Sequence, residues 1–230
     1  MPLAIDMILV PQGAEYAAVC RALRAMPHPP TVLPLPVGAT NVTRRLQQLH
    51  HTQELQAGQR VLVLGLCGGL THAVPVGSVV LYQACRTVAH PAQLWTGDRT
   101  LTAAIQAHLG TQAIGVTAVT SDRVVCRAQD KQQLAQHTQA DVVDMEGTAT
   151  LATLADLGIA AATVRVVSDD CQRDIPDLTP AFDDQGNLRP LPLAWAMLQR
   201  PIAAWTLIRG STGSLKILQE ITMHLLSDRP

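Results

Sequence analysis

Short apolar runs alternate along the chain with stretches in which apolar residues recur at helical spacing. The runs predict strands at 5–10, 60–66, 76–84, 114–120 and 160–167, with a further strand that ends at Asp144. The helical stretches are 13–25, 100–109, 129–136 and 147–157, with another that begins at Asn41 as its N-cap. Of these, 129–136 is polar and predicts a solvated helix. Strands that alternate with helices predict an α/β fold with a mostly parallel sheet.

The last quarter of the chain differs in character. Residues 170–190 are rich in Asp and Pro, which predicts a loop long enough to act as a lid or rim. Residues 191–226 are helical in pattern with a break at Arg200-Pro201. With 230 residues, of which 47% are hydrophobic, we expect one domain over 1–230, with 191–230 as a helical C-terminal extension.

Composition and charge exclude several classes of protein. The net charge is -1 and the basic residues are scattered, so a nucleic acid is not an expected partner. Five cysteines without a CxxC pair favour a reduced, cytoplasmic compartment. The N-terminus predicts a strand rather than a signal peptide, and no apolar run approaches the roughly 20 residues of a spanning helix. The eight dispersed histidines predict no metal site.

Two apolar runs end abruptly in carboxylates. The first continues into Asp144 and Glu146, and the second ends at Asp169. Because ligands collect at the carboxyl ends of strands in α/β sheets, we expect Glu146 and Asp169 to share a cleft. For Asp144, the cap of the following helix is the competing interpretation.

Three motifs carry a family resemblance. Gly65-Leu66-Cys67-Gly68-Gly69-Leu70, Asp144-Met145-Glu146-Gly147 and Arg165-Val166-Val167-Ser168-Asp169 occur in this order. Together they resemble the nucleoside phosphorylase and nucleosidase superfamily, which implies a three-layer αβα fold with a central mixed, mostly parallel sheet and a homo-oligomer. The 5'-methylthioadenosine and S-adenosylhomocysteine nucleosidases are one similar branch. Segments 169–178 and 198–201 resemble the hopanoid-associated phosphorylases, which act on adenosylhopane.

The resemblance implies roles for individual residues. Asp169 would protonate the N7 atom of a leaving purine, and its neighbour Asp170 and partial burial would favour the neutral form that this requires. Glu146 would bind the ribose hydroxyls, and Met145 would pack under the sugar. The other predicted substrate contacts are Val124, Val125, Gly68, Gly69 and Ser168.

The nucleophile is open between water and phosphate. Glu15 matches the nucleosidase glutamate that positions a water, with Arg165 nearby, although Glu15 would also suit the exposed face of the first helix. Phosphate as co-substrate needs several donors, and Val63 and Leu66 stand where phosphorylases of this superfamily often carry Arg and Ser. Arg165, Arg44 or an arginine from a partner subunit would then have to form the site.

The predicted function is release of adenine from an adenosine-like nucleoside by phosphorolysis, as in the adenosylhopane phosphorylases, without a cofactor. Hydrolysis by a methylthioadenosine-type nucleosidase is the first alternative, and a non-catalytic nucleoside-binding module is the second. A dinucleotide-binding oxidoreductase does not fit, because Gly65-x-x-Gly68-Gly69 is not its glycine motif.

The tail adds a hypothesis about partners. Apolar residues, among them Trp195, Leu198, Ile202 and Trp205, fall on two helices with few charges. They would either shelter the lipid of a lipid-linked nucleoside at a membrane surface, or cover the sheet or a partner subunit.

Overall fold

The computed structural model describes residues 3–24, 26–181, 183, 185 and 189–227. Within them the strands are β1 (Met7–Pro11), β2 (Thr31–Leu35), β3 (Arg60–Gly69), β4 (Val79–Thr87), β5 (Ala113–Thr120), β6 (Val142–Asp144) and β7 (Ala160–Asp169). The helices are α1 (Ala14–Leu23), α2 (Ala39–His51), α3 (Arg99–Leu109), α4 (Ala128–Thr138), α5 (Gly147–Asp156), α6 (Pro190–Gln199) and α7 (Pro201–Leu226). Single 3-10 turns lie at Gly110–Gln112 and Thr179–Ala181.

The sheet is mixed and mostly parallel, as predicted. Its order is β2-β1-β3-β6-β5-β4-β7, and β7 also pairs with β3, so that five of the strands close into a ring. Only the β3–β6 and β4–β7 pairings are antiparallel among the described strands. The two carboxylate-ended strands therefore do not lie side by side as in an open sheet. Instead β6 and β7 flank β3 on opposite sides.

Helices cover both faces of this sheet. Alternate side chains of β3 point to opposite faces, so Val61 and Val63 belong to one hydrophobic cluster and Leu62 and Leu64 to another. The first cluster is completed by α2 and α5, and the second by α1, α3 and α7. Helix α7 contributes Leu218, Ile221 and Leu225, which recur at helical spacing and are at most 5% exposed. The C-terminal helix is thus part of the core.

One strand was not predicted, and two predicted elements have different boundaries in the structure. Strand β2 was not predicted, because Pro34 and the flanking prolines break the strand pattern. It can form because it is the edge strand of the sheet, where a proline does not remove a hydrogen bond between strands. Helix α2 starts two residues before Asn41, and its N-cap is Gly38. Strand β3 continues through Gly69, three residues beyond its predicted end, so the glycines of the first motif belong to the strand.

Helix α4 exposes most of its residues, as its polar sequence predicts, but Lys131 is fully buried within it. The predicted helical break at Arg200-Pro201 is confirmed by the boundary between α6 and α7. The predicted loop 170–190 falls partly outside the described residues. None of the described helices combines the length and apolarity needed to cross a membrane.

Candidate active site

The carboxyl end of β3 brings the two carboxylate segments together. Gly68 pairs with Val143 of β6 on one side and with Asp169 of β7 on the other. A pocket of about 190 Å³ opens at this point. Most of the predicted site residues line it, namely Glu15, Gly68, Val124, Val125, Met145, Glu146, Arg165, Ser168 and Asp169.

Two predicted contributors do not line the pocket. Gly69 pairs with Val142, and a Cβ on it would lie 2.8 Å from the carbonyl oxygen of Val74, so this glycine permits close backbone packing rather than ligand contact. Arg44 lies on the exposed face of α2, donates to the Oδ1 atom of Asn41 at 3.3 Å, and lines a separate surface depression. It is therefore not placed to bind a phosphate in this pocket.

Glu15 enters the pocket from the first turn of α1. Its Oε1 atom accepts a hydrogen bond from the backbone N–H of Leu66 at 2.6 Å. The absent side chain of Gly65 makes the approach possible, since a Cβ there would lie 2.8 Å from Oε1 and 2.5 Å from Nη1 of Arg165. Burial of the carboxyl raises the pKa of Glu15 to about 7. The alternative of a solvated position on the first helix does not hold.

Glu146 lies on the next wall, just before α5. Only 6% of the residue is exposed, and its Oε1 atom accepts the N–H of Gly38 at 3.1 Å. Burial raises the pKa of Glu146 to about 7, and the nearby charge of Asp144 acts in the same direction. Glu146 also lines the pocket, where its carboxyl group has room to accept further hydrogen bonds.

Arg165 compensates the negative charge of this region. Its Nη2 atom lies 3.9 Å from both Glu146 Oε2 and Asp144 Oδ2, and Nη1 donates to the carbonyl of Leu66 at 3.2 Å. The guanidinium is 2% exposed. A buried guanidinium is unfavourable without an anionic partner, and the structure supplies two.

Asp144 is held by a buried network. It accepts hydrogen bonds from Tyr82 Oη at 3.1 Å, Thr120 Oγ1 at 2.9 Å and the N–H of Gly147 at 3.0 Å. Because Gly147 is the first residue of α5, Asp144 satisfies a free donor of that helix, which agrees with its competing interpretation as a cap.

Asp169 is paired with a cation that the sequence analysis missed. Its Oδ1 atom accepts from Ser168 Oγ at 2.8 Å, and its Oδ2 atom forms an ion pair with Lys131 Nζ. The carboxylate of Asp170 is turned away, toward the N–H groups of Gln172 and Arg173. The expectation that Asp170 and burial keep Asp169 neutral did not include this ion pair with Lys131, a cation that favours the charged form of a carboxyl group.

A larger cavity of about 650 Å³ lies beneath α7 and shares Ser168, Asp169 and Ile175 with the pocket. Glu15, Glu146 and Arg165 line the smaller pocket and not this cavity. The smaller pocket therefore holds most of the ionisable residues that were predicted for the site. Among the described residues, no three His, Cys, Asp or Glu side chains are grouped to hold a metal ion.

Residues 15–189 match the model of the phosphorylase superfamily, and the chain belongs to this superfamily. The match confirms the predicted family and the predicted class, an enzyme that cleaves nucleosides at the N-glycosidic bond. A comparison with curated proteins gave no match.

Solved structures show the same fold at low identity. Futalosine hydrolase of Helicobacter pylori is 12% identical, with a TM-score of 0.70 and 97% of both chains covered. The 5'-methylthioadenosine/S-adenosyl homocysteine nucleosidase of the same organism, in complex with a substituted pyrrolidinol, is 13% identical, with a TM-score of 0.66 and 96% of this chain and 98% of that chain covered. A putative nucleosidase of this kind from Borrelia burgdorferi, bound to adenine, is 11% identical, with a TM-score of 0.70 and coverage of 95% and 98%. The predicted α/β fold is thereby confirmed.

Proposed function

We propose that the protein hydrolyses the N-glycosidic bond of an adenosine-like nucleoside and releases adenine. The observation that carries this proposal is the convergence of Glu15, Glu146, Arg165 and Asp169 on one pocket of about 190 Å³. Bond cleavage places positive charge on the ribose and negative charge on the leaving purine. The pocket has separate groups for each of these charges.

The charge of the pocket supports water rather than phosphate as the nucleophile. Four carboxylates line it, those of Glu15, Asp144, Glu146 and Asp169, against the guanidinium groups of Arg123 and Arg165. Arg165 already compensates Asp144 and Glu146. A phosphate dianion would have to compete with Asp144 and Glu146 for Arg165, and with Asp169 for Lys131, whereas a neutral water needs no cation.

Glu15 is suited to activate that water. Because the pKa of its carboxyl is raised to about 7, it is a stronger base than an ordinary glutamate and is still substantially ionised at neutral pH. Its Oε1 atom is held by the N–H of Leu66, which leaves the other oxygen to accept the proton of a water. The water oxygen then attacks the anomeric carbon as the bond to the purine breaks.

Glu146 and Asp169 would hold the two halves of the nucleoside. Glu146 accepts hydrogen bonds from ribose hydroxyls, and its charge stabilises the cationic sugar in the transition state. Asp169 lies across the pocket, where its carboxyl group contacts the purine ring edge. Val124, Val125 and Met145 provide apolar contact, since these side chains line the same pocket. The adenine bound to the Borrelia burgdorferi protein is consistent with a purine site on this fold.

A lipid-bearing 5' group is included in the proposed substrate class. Helices α6 and α7 expose large apolar side chains, with Leu198 74% and Ile202 84% exposed. Between residues 189 and 219 these helices carry basic residues and no acidic ones, a composition that favours an anionic lipid surface. Such a surface would keep the hydrocarbon of a lipid-linked nucleoside near the pocket.

The test is a panel of adenosine derivatives, methylthio and lipid-bearing, assayed for free adenine with and without phosphate. We expect turnover that does not depend on phosphate, and a loss of roughly 10²- to 10⁴-fold in Glu15→Gln. The exposed Glu220 provides the matched control, Glu220→Gln. Complete dependence on phosphate would establish the phosphorolysis that the C-terminal motifs suggest. Binding of nucleosides without any release of adenine would instead indicate a binding module.

A further inference from the structure

Lys131 is an unusual residue in this chain. The sequence contains only two lysines, Lys131 and Lys216, among 17 basic residues. Lys216 is exposed, whereas Lys131 is 0% exposed, although it lies in a helix with a polar sequence. A buried ammonium is unfavourable unless it is paired and hydrogen-bonded. Its position therefore indicates a specific function.

The contacts of Lys131 define that function. Its Nζ atom forms an ion pair with Asp169 Oδ2 and donates to the carbonyl oxygen of Asp170 at 2.8 Å. Asp169 lines the pocket and Lys131 does not, so the contact of Lys131 with the pocket runs through Asp169. Arginine would provide the same charge, but only lysine readily gives up a proton when it is buried.

The pairing changes the acid chemistry of the site. A carboxylate that is ionised cannot protonate a leaving purine, yet the Lys131–Asp169 pair together holds one transferable proton. As adenine leaves, the negative charge that develops on the ring draws this proton toward it. The pair can then act as the acid, with Lys131 as the source of the proton and Asp169 as the group that passes it on.

We infer that Lys131 is the proton source for the leaving base, acting through Asp169. This inference rests on the proposed function. As the C1'–N9 bond breaks, its electron pair passes to the purine. An N–H bond of Lys131 breaks, Asp169 takes up that proton, and Asp169 delivers a proton to N7 of the purine. Lys131 becomes a neutral amine and regains a proton from water after adenine leaves.

Other titratable groups near the pair do not compete for this role. Burial raises the pKa of the thiols of Cys67 and Cys126, so that both remain neutral at the pH of an assay. A backbone hydrogen bond from Thr179 lowers the pKa of Asp177, the acidic neighbour of Cys126, which stays ionised. Glu15 and Glu146, whose pKa values are raised to about 7, are present in wild type and variants alike, so a difference between the pH profiles reports on the loss of Lys131.

The test is the pH profile of kcat/KM for adenine release in two variants, Lys131→Met and Lys131→Arg. In wild type Lys131 supplies the proton that Asp169 passes on. In Lys131→Met only the carboxyl holds a proton, so the fall in activity at alkaline pH begins at a lower pH, with a loss of roughly 10²-fold at pH 8 and a smaller loss at pH 5. Lys131→Arg keeps Asp169 ionised and supplies no proton, so it stays impaired at both pH values.

A substrate with a good leaving group separates this function from folding. 4-Nitrophenyl riboside releases a stable anion that needs no proton, so Lys131→Met should cleave it within about threefold of wild type while its adenine release is impaired. Lys216→Met is the matched control and should behave as wild type on both substrates.

Three results would overturn the inference while wild type still releases adenine. These are a Lys131→Met profile that coincides with wild type, restoration of activity by Lys131→Arg, and equal loss of both substrates in Lys131→Met. Wild type that releases no adenine would contradict the proposed function itself.

Discussion

Glu15→Gln should make the protein more stable above neutral pH while it removes activity. The carboxyl of Glu15 is shielded by the pocket wall, which raises its pKa from 4.5 to about 7. Glutamine is neutral, has nearly the same shape, and can still accept the hydrogen bond that the N–H of Leu66 donates. The substitution therefore removes an unfavourable charge without removing a contact.

The pKa difference sets both the sign and the size of the effect. The folded state of wild type binds the Glu15 proton more tightly than the unfolded state, so the free energy of unfolding decreases as pH rises from 4.5 to about 7. At about 1.4 kcal/mol per pH unit, the full difference corresponds to roughly 3 kcal/mol. Because Glu15 is only half-buried, solvent screening reduces this to about 1–2 kcal/mol.

Urea unfolding at pH 8.5 and at pH 5 measures the effect. We expect Glu15→Gln to exceed wild type by about 1–2 kcal/mol at pH 8.5 and by much less at pH 5. Glu220→Gln, on the exposed face of α7, should change stability by less than about 0.5 kcal/mol at either pH. A Glu15→Gln protein that is less stable than wild type at pH 8.5, or a difference that does not depend on pH, would refute the reasoning.

Three further substitutions probe the buried network. Gly65→Ala places a Cβ 2.5 Å from Nη1 of Arg165, so kcat/KM should fall by roughly 10²-fold. The control Gly213→Ala adds a Cβ that meets no atom within 4 Å and should retain activity. Arg165→Met leaves Asp144 and Glu146 without their cation and should lower the free energy of unfolding by about 3–5 kcal/mol. Thermal unfolding should show a smaller loss at pH 6 than at pH 8, because the pKa of Glu146 is about 7 and its carboxyl group is mostly neutral at pH 6. Tyr82→Phe removes the hydroxyl that donates to Asp144 and should cost about 1–3 kcal/mol in urea unfolding.

Sequence patterns located most of the fold because strands and helices here follow strong local signals. Gly110 and Gly158 mark the ends of their helices, and Pro201 marks the start of α7. The closure of the sheet was not predictable in this way. It depends on pairing of the last residues of β3 with β6 and β7 at once, and such long-range pairing has no local sequence signal.

The same difference between local and long-range signals applies to the site residues. Glu146 and Asp169 lie at strand ends, so the sequence pattern alone predicted them as site residues. Lys131 is 38 residues from Asp169 along the chain and lies in a helix that appears solvated. Its one sequence signal is the choice of lysine in a chain whose basic residues are otherwise almost all arginine. Charge pairing across elements, such as that of Lys131 with Asp169, becomes visible only in three dimensions.

The most direct test of the central claim is a crystal structure of the protein with an uncleavable adenosine analogue. We expect the sugar hydroxyls within hydrogen-bond distance of Glu146, the purine edge at Asp169, and a water between Glu15 and the anomeric carbon. The cavity of about 650 Å³ beneath α7 is the competing place for a ligand. An analogue bound there, with Glu146 and Glu15 making no contact with it, would contradict the account.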